Sequence, residues 1–266
     1  MELTFRIMFS LSRKWSGYEF PAISKWHNVM PNFRTKEMND NTTYTPDELF
    51  EIFKEQHRLC SPLDIMANET FVLTKETLIY EWRDAQDLLP WDELAEFLNQ
   101  EFRINVPLKT WDRILNPDDK KTLGELCIFL STIAEKEIIK PIKILGAECL
   151  TTAIFITLKR NLKNKGVDVS NLKPSTKIEE FLNVNKNFSP LLEEVTLTGL
   201  KTFDKLEYGK LENERRFKYW IDKIFPNWIY KRSIKTGNIQ TFRDLVERIV
   251  DDKKLGITAT KTDLGI

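Results

Sequence analysis

The chain has 266 residues, with 40 Lys and Arg against 40 Asp and Glu. Zero formal net charge excludes a protein that coats nucleic acid through a general basic field. With only 9 glycines it is poor in the Gly-rich turns of nucleotide-binding folds, and it carries neither a Walker nor a dinucleotide fingerprint.

Residues 1–43 are expected to form an irregular packing segment. Leu3, Phe5, Ile7 and Phe9 alternate as in a strand, while Met8 and Leu11 also suit a short helix. Trp15, Tyr18, Phe20, Trp26 and Phe33 follow without long periodicity, around Pro21 and Pro31. Glu2 and Arg6 interrupt the leading apolar run, which therefore lacks the features of a secretory leader.

Helical signals then dominate. Thr45-Pro46-Asp47-Glu48 supplies a capping threonine, a first-position proline and acids for the first turn, with Leu49, Ile52, Phe53 and His57 on one face behind them. A second helix is predicted from Trp91 to Phe102, and a third from Thr122, with Leu123, Leu126, Cys127, Leu130 and Ile133 as its stripe. Lys136–Lys143 reads as a connector containing Pro141. A long helix is expected over Gly146–Asn164, stopped by Gly166 as a C-cap. Further helices are expected near Glu212–Phe225 and Thr241–Val250. Few runs look like strands, so the fold class is mainly α.

The pieces recur in one order over roughly a hundred residues, which predicts a divergent internal repeat. Each half has a leading helix and a short motif, LTKETLIYEW at 73–82 and LKPSTKIEEFL at 172–182. Each then has a helix ending in an aromatic, Phe102 or Phe225, and a closing Thr-capped helix from Thr122 or Thr241. The implied organisation is a packing segment at 1–43, bundles at 44–136 and 145–266, and a connector at 137–144.

The stretch DLLPWDELAEFLNQEFRINVP, Asp87–Pro107, followed by the helix from Thr122, resembles acyl carrier proteins, in particular their divergent bacterial relatives. In that family the stretch opens on Asp-Ser-Leu and closes on Glu-Phe-Gly-Ile-x-Ile-Pro. Here Glu101-Phe102-Arg103-Ile104-Asn105-Val106-Pro107 aligns with the close without a gap. The resemblance covers about Thr45–Glu135 and, more faintly, Leu145–Asp251. It implies two tandem carrier-like helical bundles behind the aromatic-rich segment.

The chain departs from the family where carrier chemistry is done. The serine that takes a phosphopantetheine arm is replaced by Leu88, and in the second half, anchored on Phe225, by Leu211. A leucine has no oxygen to form the phosphodiester, so no cofactor is expected. The resemblance then implies a non-enzymatic interaction or scaffold protein. The alternative is a working carrier, or a carrier-associated component of lipid or polyketide metabolism, modified at an atypical residue such as Ser189, Thr196 or Thr198.

Between Glu81 and Glu101 seven acids face one base, Arg83. Asp87, Asp92, Glu93 and Glu96 are the candidate docking residues for a protein partner with a basic surface, since opposed fields orient encounter. The competing explanation is a solvated face with acids favoured near a helix N-terminus. Leu211–Phe225 is slightly basic, so the two halves are also candidates to dock on each other through opposed charge.

Other chemistry finds little support. Cys60, Cys127 and Cys149 form no disulfide framework and fit a reducing, cytoplasmic setting. His57 and Cys60 lack two further ligands at zinc spacing, and His57 continues an apolar helix face as a core histidine. No nucleophile-elbow motif is present. The pairs Asp118-Asp119, Glu179-Glu180 and Asp251-Asp252 read as surface charge. The basic run Lys159–Lys165 is explained by the C-terminal end of its helix, with no aromatic among the bases to stack on a nucleobase. The apolar stretch near Leu150–Leu158 is too short to span a bilayer, which takes about 20 residues.

Overall fold

The computed structural model describes residues 43–64, 66–86, 88, 90–144, 146–184, 188–198, 201–209 and 234–263, with side chains of the last helix described to Asp252. The expected packing segment, the helix near Glu212–Phe225 and Leu211 lie outside these residues, as does Asp87. The described fold is mainly helical: α1 (Pro46–Cys60), a 3-10 turn (Ser61–Leu63), α2 (Ile79–Ala85), α3 (Trp91–Glu101), α4 (Leu108–Leu115), α5 (Leu123–Ser131), α6 (Leu150–Asn164), α7 (Ile178–Leu182), α8 (Phe188–Thr196) and α9 (Phe242–Asp263). Two small antiparallel hairpins accompany them, β1 (Ile142–Ile144) with β2 (Ala147–Cys149), and β3 (Glu207–Tyr208) with β4 (Ile234–Lys235).

Capping chemistry fixes several helix starts. The Thr45 and Thr122 hydroxyls accept from the amides of Glu48 and Glu125, whose carboxylates reach back to the threonine amides. The long helix expected from Gly146 begins instead at Leu150, because Ala147–Cys149 pairs with Ile142–Ile144 around Gly146 at φ +85°. The supposed connector therefore ends in a strand. Helices α2, α4, α7 and α8 are additions to the expected set, α2 and α7 lying within or just beyond the two short motifs.

Two apolar cores result. The first gathers Leu49 and Phe53 of α1, Trp82 of α2, Leu98 of α3, Trp111 of α4 and Leu126 of α5. The second gathers Leu158 of α6, Phe181 of α7, Leu191 and Val195 of α8, Phe203, and Phe242 and Leu245 of α9. Leu59 and Cys60, at the last turn of α1, belong to the second core, so one helix enters both.

Each core is closed by the same set of hydrogen bonds. Ile79 N–H donates to the Lys121 carbonyl, Leu123 N–H to Thr77, and Gly124 N–H to Lys75, each at 2.8 Å. Ile178 N–H donates to Gln240, Phe242 N–H to Thr176 and Arg243 N–H to Pro174, at 2.9, 3.1 and 2.8 Å. In both places the threonine hydroxyl, Thr77 or Thr176, accepts from the amide three residues before it. The bridges Leu78–Thr122 and Lys177–Thr241 sit at the centres of these two clasps.

The ends of α3 and α6 show one motif with different residues. At α6, Gly166 takes φ +80° while its amide donates to Lys163 and that of Val167 donates to Leu162. At α3, Arg103 takes φ +55° while its amide donates to Gln100 and that of Ile104 donates to Asn99. Asn99 also accepts from Val106 N–H and Trp111 Nε1, locking the loop that follows. An L residue in the left-handed region costs about 1–2 kcal/mol that glycine avoids. Arg103→Gly is therefore expected to be more stable than Arg103→Ala by about 1 kcal/mol in urea denaturation, since both lose the same side-chain contacts.

Candidate functional site

Leu88 lies on the short link between α2 and α3. Its amide donates to the Arg83 carbonyl at 2.8 Å, and its half-buried side chain packs on the first core. Pro90 then starts α3, with Asp92 and Glu93 in the first turn. Asp92 and Glu96 are exposed and Glu93 is half-buried. Of the four candidate docking acids, two are thus exposed on α3 and one is half-buried there, while Asp87 lies outside the described residues.

The other sequence candidates resolve simply. Asp118 pairs with Arg83 at 2.6 Å, Glu179 with Lys235 at 2.9 Å and Glu180 with Lys177 at 3.0 Å, as expected for surface charge. No group of three or more His, Cys, Asp or Glu able to hold a metal occurs among the described residues. No described helix is long and apolar enough to cross a membrane.

His57 is buried, as its place on the α1 stripe predicts, but its partner was not foreseen. The Ser61 hydroxyl is 2.8 Å from His57 Nδ1, and His57 Nε2 is 3.0 Å from the Phe71 carbonyl. A carbonyl can only accept, so Nε2 carries the proton and Nδ1 receives the serine O–H. Burial lowers the imidazole pKa and favours this neutral form. The pair borders a depression of about 280 Å³. Ser61 is only 3% exposed, and both ring nitrogens are spent on these contacts, so the arrangement reads as a helix-end tie. The i, i+4 spacing of His57 and Ser61 was the available signal.

Where the two cores meet, charge is concentrated. Arg103 reaches Glu137 and Glu194 at 3.3 Å, Arg160 pairs with Glu137, and Lys165 meets Glu193 at 2.6 Å and Glu194 at 3.2 Å. Asn161 donates to both Glu137 and Glu194. Three of the four bases of the run Lys159–Lys165 are thus engaged internally, since Lys159 itself donates to the Leu172 carbonyl, while Lys163 is exposed. The acids facing Arg103 come from α8 and the linker; the slightly basic stretch Leu211–Phe225, expected to face the acidic first half, lies outside the described residues.

Three cations balance three acids there, which leaves a fourth acid without a share. Glu101, 1% exposed, accepts from Gln56 Nε2 through one oxygen and has no partner for the other among the described residues. Burial, with Glu193 and Glu194 nearby and only partly offset by Lys165, pushes its pKa up to about 8.

A small cavity opens beside this cluster. Gln56 and Cys60 of α1, Trp82 and Gln86 at the end of α2, Leu88, and Leu94 and Phe97 of α3 form one side; Ser189, Leu192, Glu193 and Thr196 of α8 form the other. Its volume is about 60 Å³. Sequence reading missed it, because its walls come from segments up to 140 positions apart, as in the Gln56–Thr196 hydrogen bond.

No protein-family model, curated protein or solved structure matches the chain. The geometry of the site therefore carries the functional reading.

The Glu101 proton gives a pH test with a definite sign. A carboxyl with its folded pKa raised to about 8 stabilises fully below its ordinary value near 4.5, and that stability is lost as pH rises through 8. Glu101→Gln mimics the protonated form. Its stability relative to the parent chain is expected to grow between about pH 5 and pH 9 and to level off above, measured by urea denaturation at each pH.

Proposed function

We propose that this chain is a non-catalytic interaction or scaffold protein built on two tandem carrier-protein-like bundles, unable to take a phosphopantetheine arm at the usual position. The observation that carries the reading is Leu88: an aliphatic side chain, packed on the core, holds the place of the attachment serine. Two further observations support the carrier resemblance. The position that is glycine in Glu-Phe-Gly-Ile is Arg103, and it takes the left-handed backbone that glycine favours. The paired clasps around Leu78–Thr122 and Lys177–Thr241 agree with a duplicated bundle.

The partner surface is the acidic side of α3, on which Asp92 and Glu96 are exposed in the N-terminal half. A basic protein surface is its complement, through the steering that true carriers use.

The residues of the alternative carrier reading are poorly disposed for modification. Thr196 is 1% exposed and donates its hydroxyl to the Leu192 carbonyl. Thr198 donates to Val195 at 2.7 Å, and Ser189 to Glu193 at 2.6 Å. These contacts favour the unmodified reading.

Intact-mass measurement after co-expression with a phosphopantetheinyl transferase is expected to return the unmodified chain. A stable pantetheinyl adduct overturns the proposal, and peptide mapping then locates the serine. Reversing Asp92 and Glu96 to lysine is expected to weaken capture of a basic partner from lysate by tenfold or more at low salt, as the loss of roughly 1.4 kcal/mol of favourable field implies. The variant should still unfold cooperatively on heating, since neither side chain is buried.

A further inference from the structure

The cavity between α2–α3 and α8 contains two buried donors that the fold leaves unused. Trp82 is 2% exposed and Gln86 5%, and they stand one helical turn apart. Neither Trp82 Nε1–H nor the Gln86 Nε2 amide has a hydrogen-bond partner among the described residues. Buried donors are paired as a rule, because an unpaired one loses its hydration and gains nothing. The other amide and hydroxyl groups of the wall are committed: Gln56 to Glu101, Ser189 to Glu193 and Thr196 to the Leu192 carbonyl. What remains around the two donors is apolar, chiefly Leu88, Leu94, Phe97 and Leu192.

We propose that this cavity is a binding site for a small neutral carbonyl compound, a ketone or ester, whose oxygen accepts from Trp82 and Gln86 while its alkyl part lies on the apolar wall. A carbonyl oxygen offers two lone pairs and no proton, which matches the two unused donors. A water meets the donors equally well, but it leaves the apolar wall of Leu88, Leu94, Phe97 and Leu192 uncovered. An ammonium ion brings donors to donors. A carboxylate approaches Glu193, which lines the cavity. Neutrality and acceptor character are therefore both selected. The void of about 60 Å³, where one water needs about 10–15 Å³, holds about four to six non-hydrogen atoms. The site belongs to the seam and not to the interior of either core, and it stands apart from the carrier-like reading.

The test follows the tryptophan indole N–H signals of the full ¹⁵N-labelled chain during titration with 3-methyl-2-butanone, isobutyrate or isobutylammonium. Trp82→Phe identifies the Trp82 signal by its disappearance. The ketone is expected to move that signal saturably, with a dissociation constant in the millimolar range suited to so small a ligand. Isobutylammonium should give no saturable shift, and isobutyrate should bind at least tenfold more weakly than the ketone. Gln86→Met, which keeps the aliphatic stem and loses the donor, should weaken ketone binding about threefold to tenfold. The remaining indole signals report that the variant is folded. No saturable shift with the ketone, equal shifts with all three compounds, or undiminished binding in folded Gln86→Met overturns the site.

Discussion

The arrangement of the described chain depends on α1 belonging to two cores at once. Leu49, Ile52 and Phe53 are buried in the first core and Leu59 and Cys60 in the second. Eleven residues separate Leu49 from Cys60, about 16 Å of rigid helix. Burial at both ends fixes the spacing and relative rotation of the cores through one element, and the seam inherits that geometry. Arg58, in the same last turn, donates to the carbonyls of Phe203 and Asp204 and so satisfies backbone that belongs to the second core. Apolar burial sets the seam; the charges arrange themselves within it.

That order explains why the seam is so polar and yet nearly balanced. Arg103, Arg160 and Lys165 answer Glu137, Glu193 and Glu194, while Asn161 ties two of the acids together. The pairs of the half-exposed Arg103 and Arg160 are screened by solvent, and the more buried Lys165 pairs barely repay their desolvation, so the set is better at fixing one mutual arrangement than at adding stability. Glu101 marks the limit of the balance. It is placed by the apolar face of α3, which buries Leu94 and Leu98 on the same side, and must take whatever electrostatic surroundings that packing supplies.

Much of the helical content was legible, because its signals are local. Thr45-Pro46 and Thr122 with Glu125 announce helix starts through capping groups within three residues of each other, and Gly166 announces a stop. Helices α4 and α8 gave weaker signals: each is short, and each is held by tertiary contacts of a few apolar side chains, Trp111 and Leu115 in one, Leu191, Leu192 and Val195 in the other. The β1–β2 hairpin has strands of three residues, too few for an alternation to stand out. Exposure of Asp92 and Glu96 followed from helical spacing; the cavity and the charge cluster did not, since their members approach only when distant segments pack.

The two clasps differ in one respect that bears on chain length. Lys177 and Thr241 close a span about twenty residues longer than the one closed by Leu78 and Thr122, with equivalent hydrogen bonds at the junction. Loop-closure entropy rises only with the logarithm of length, at about 0.6 kcal/mol per doubling, so the longer span costs a fraction of that. A junction of backbone hydrogen bonds also takes no account of what lies between its two sides. Each clasp therefore acts as a splice point, holding its core shut while those parts of the intervening chain that stay outside the core are free to lengthen or shorten over evolutionary time.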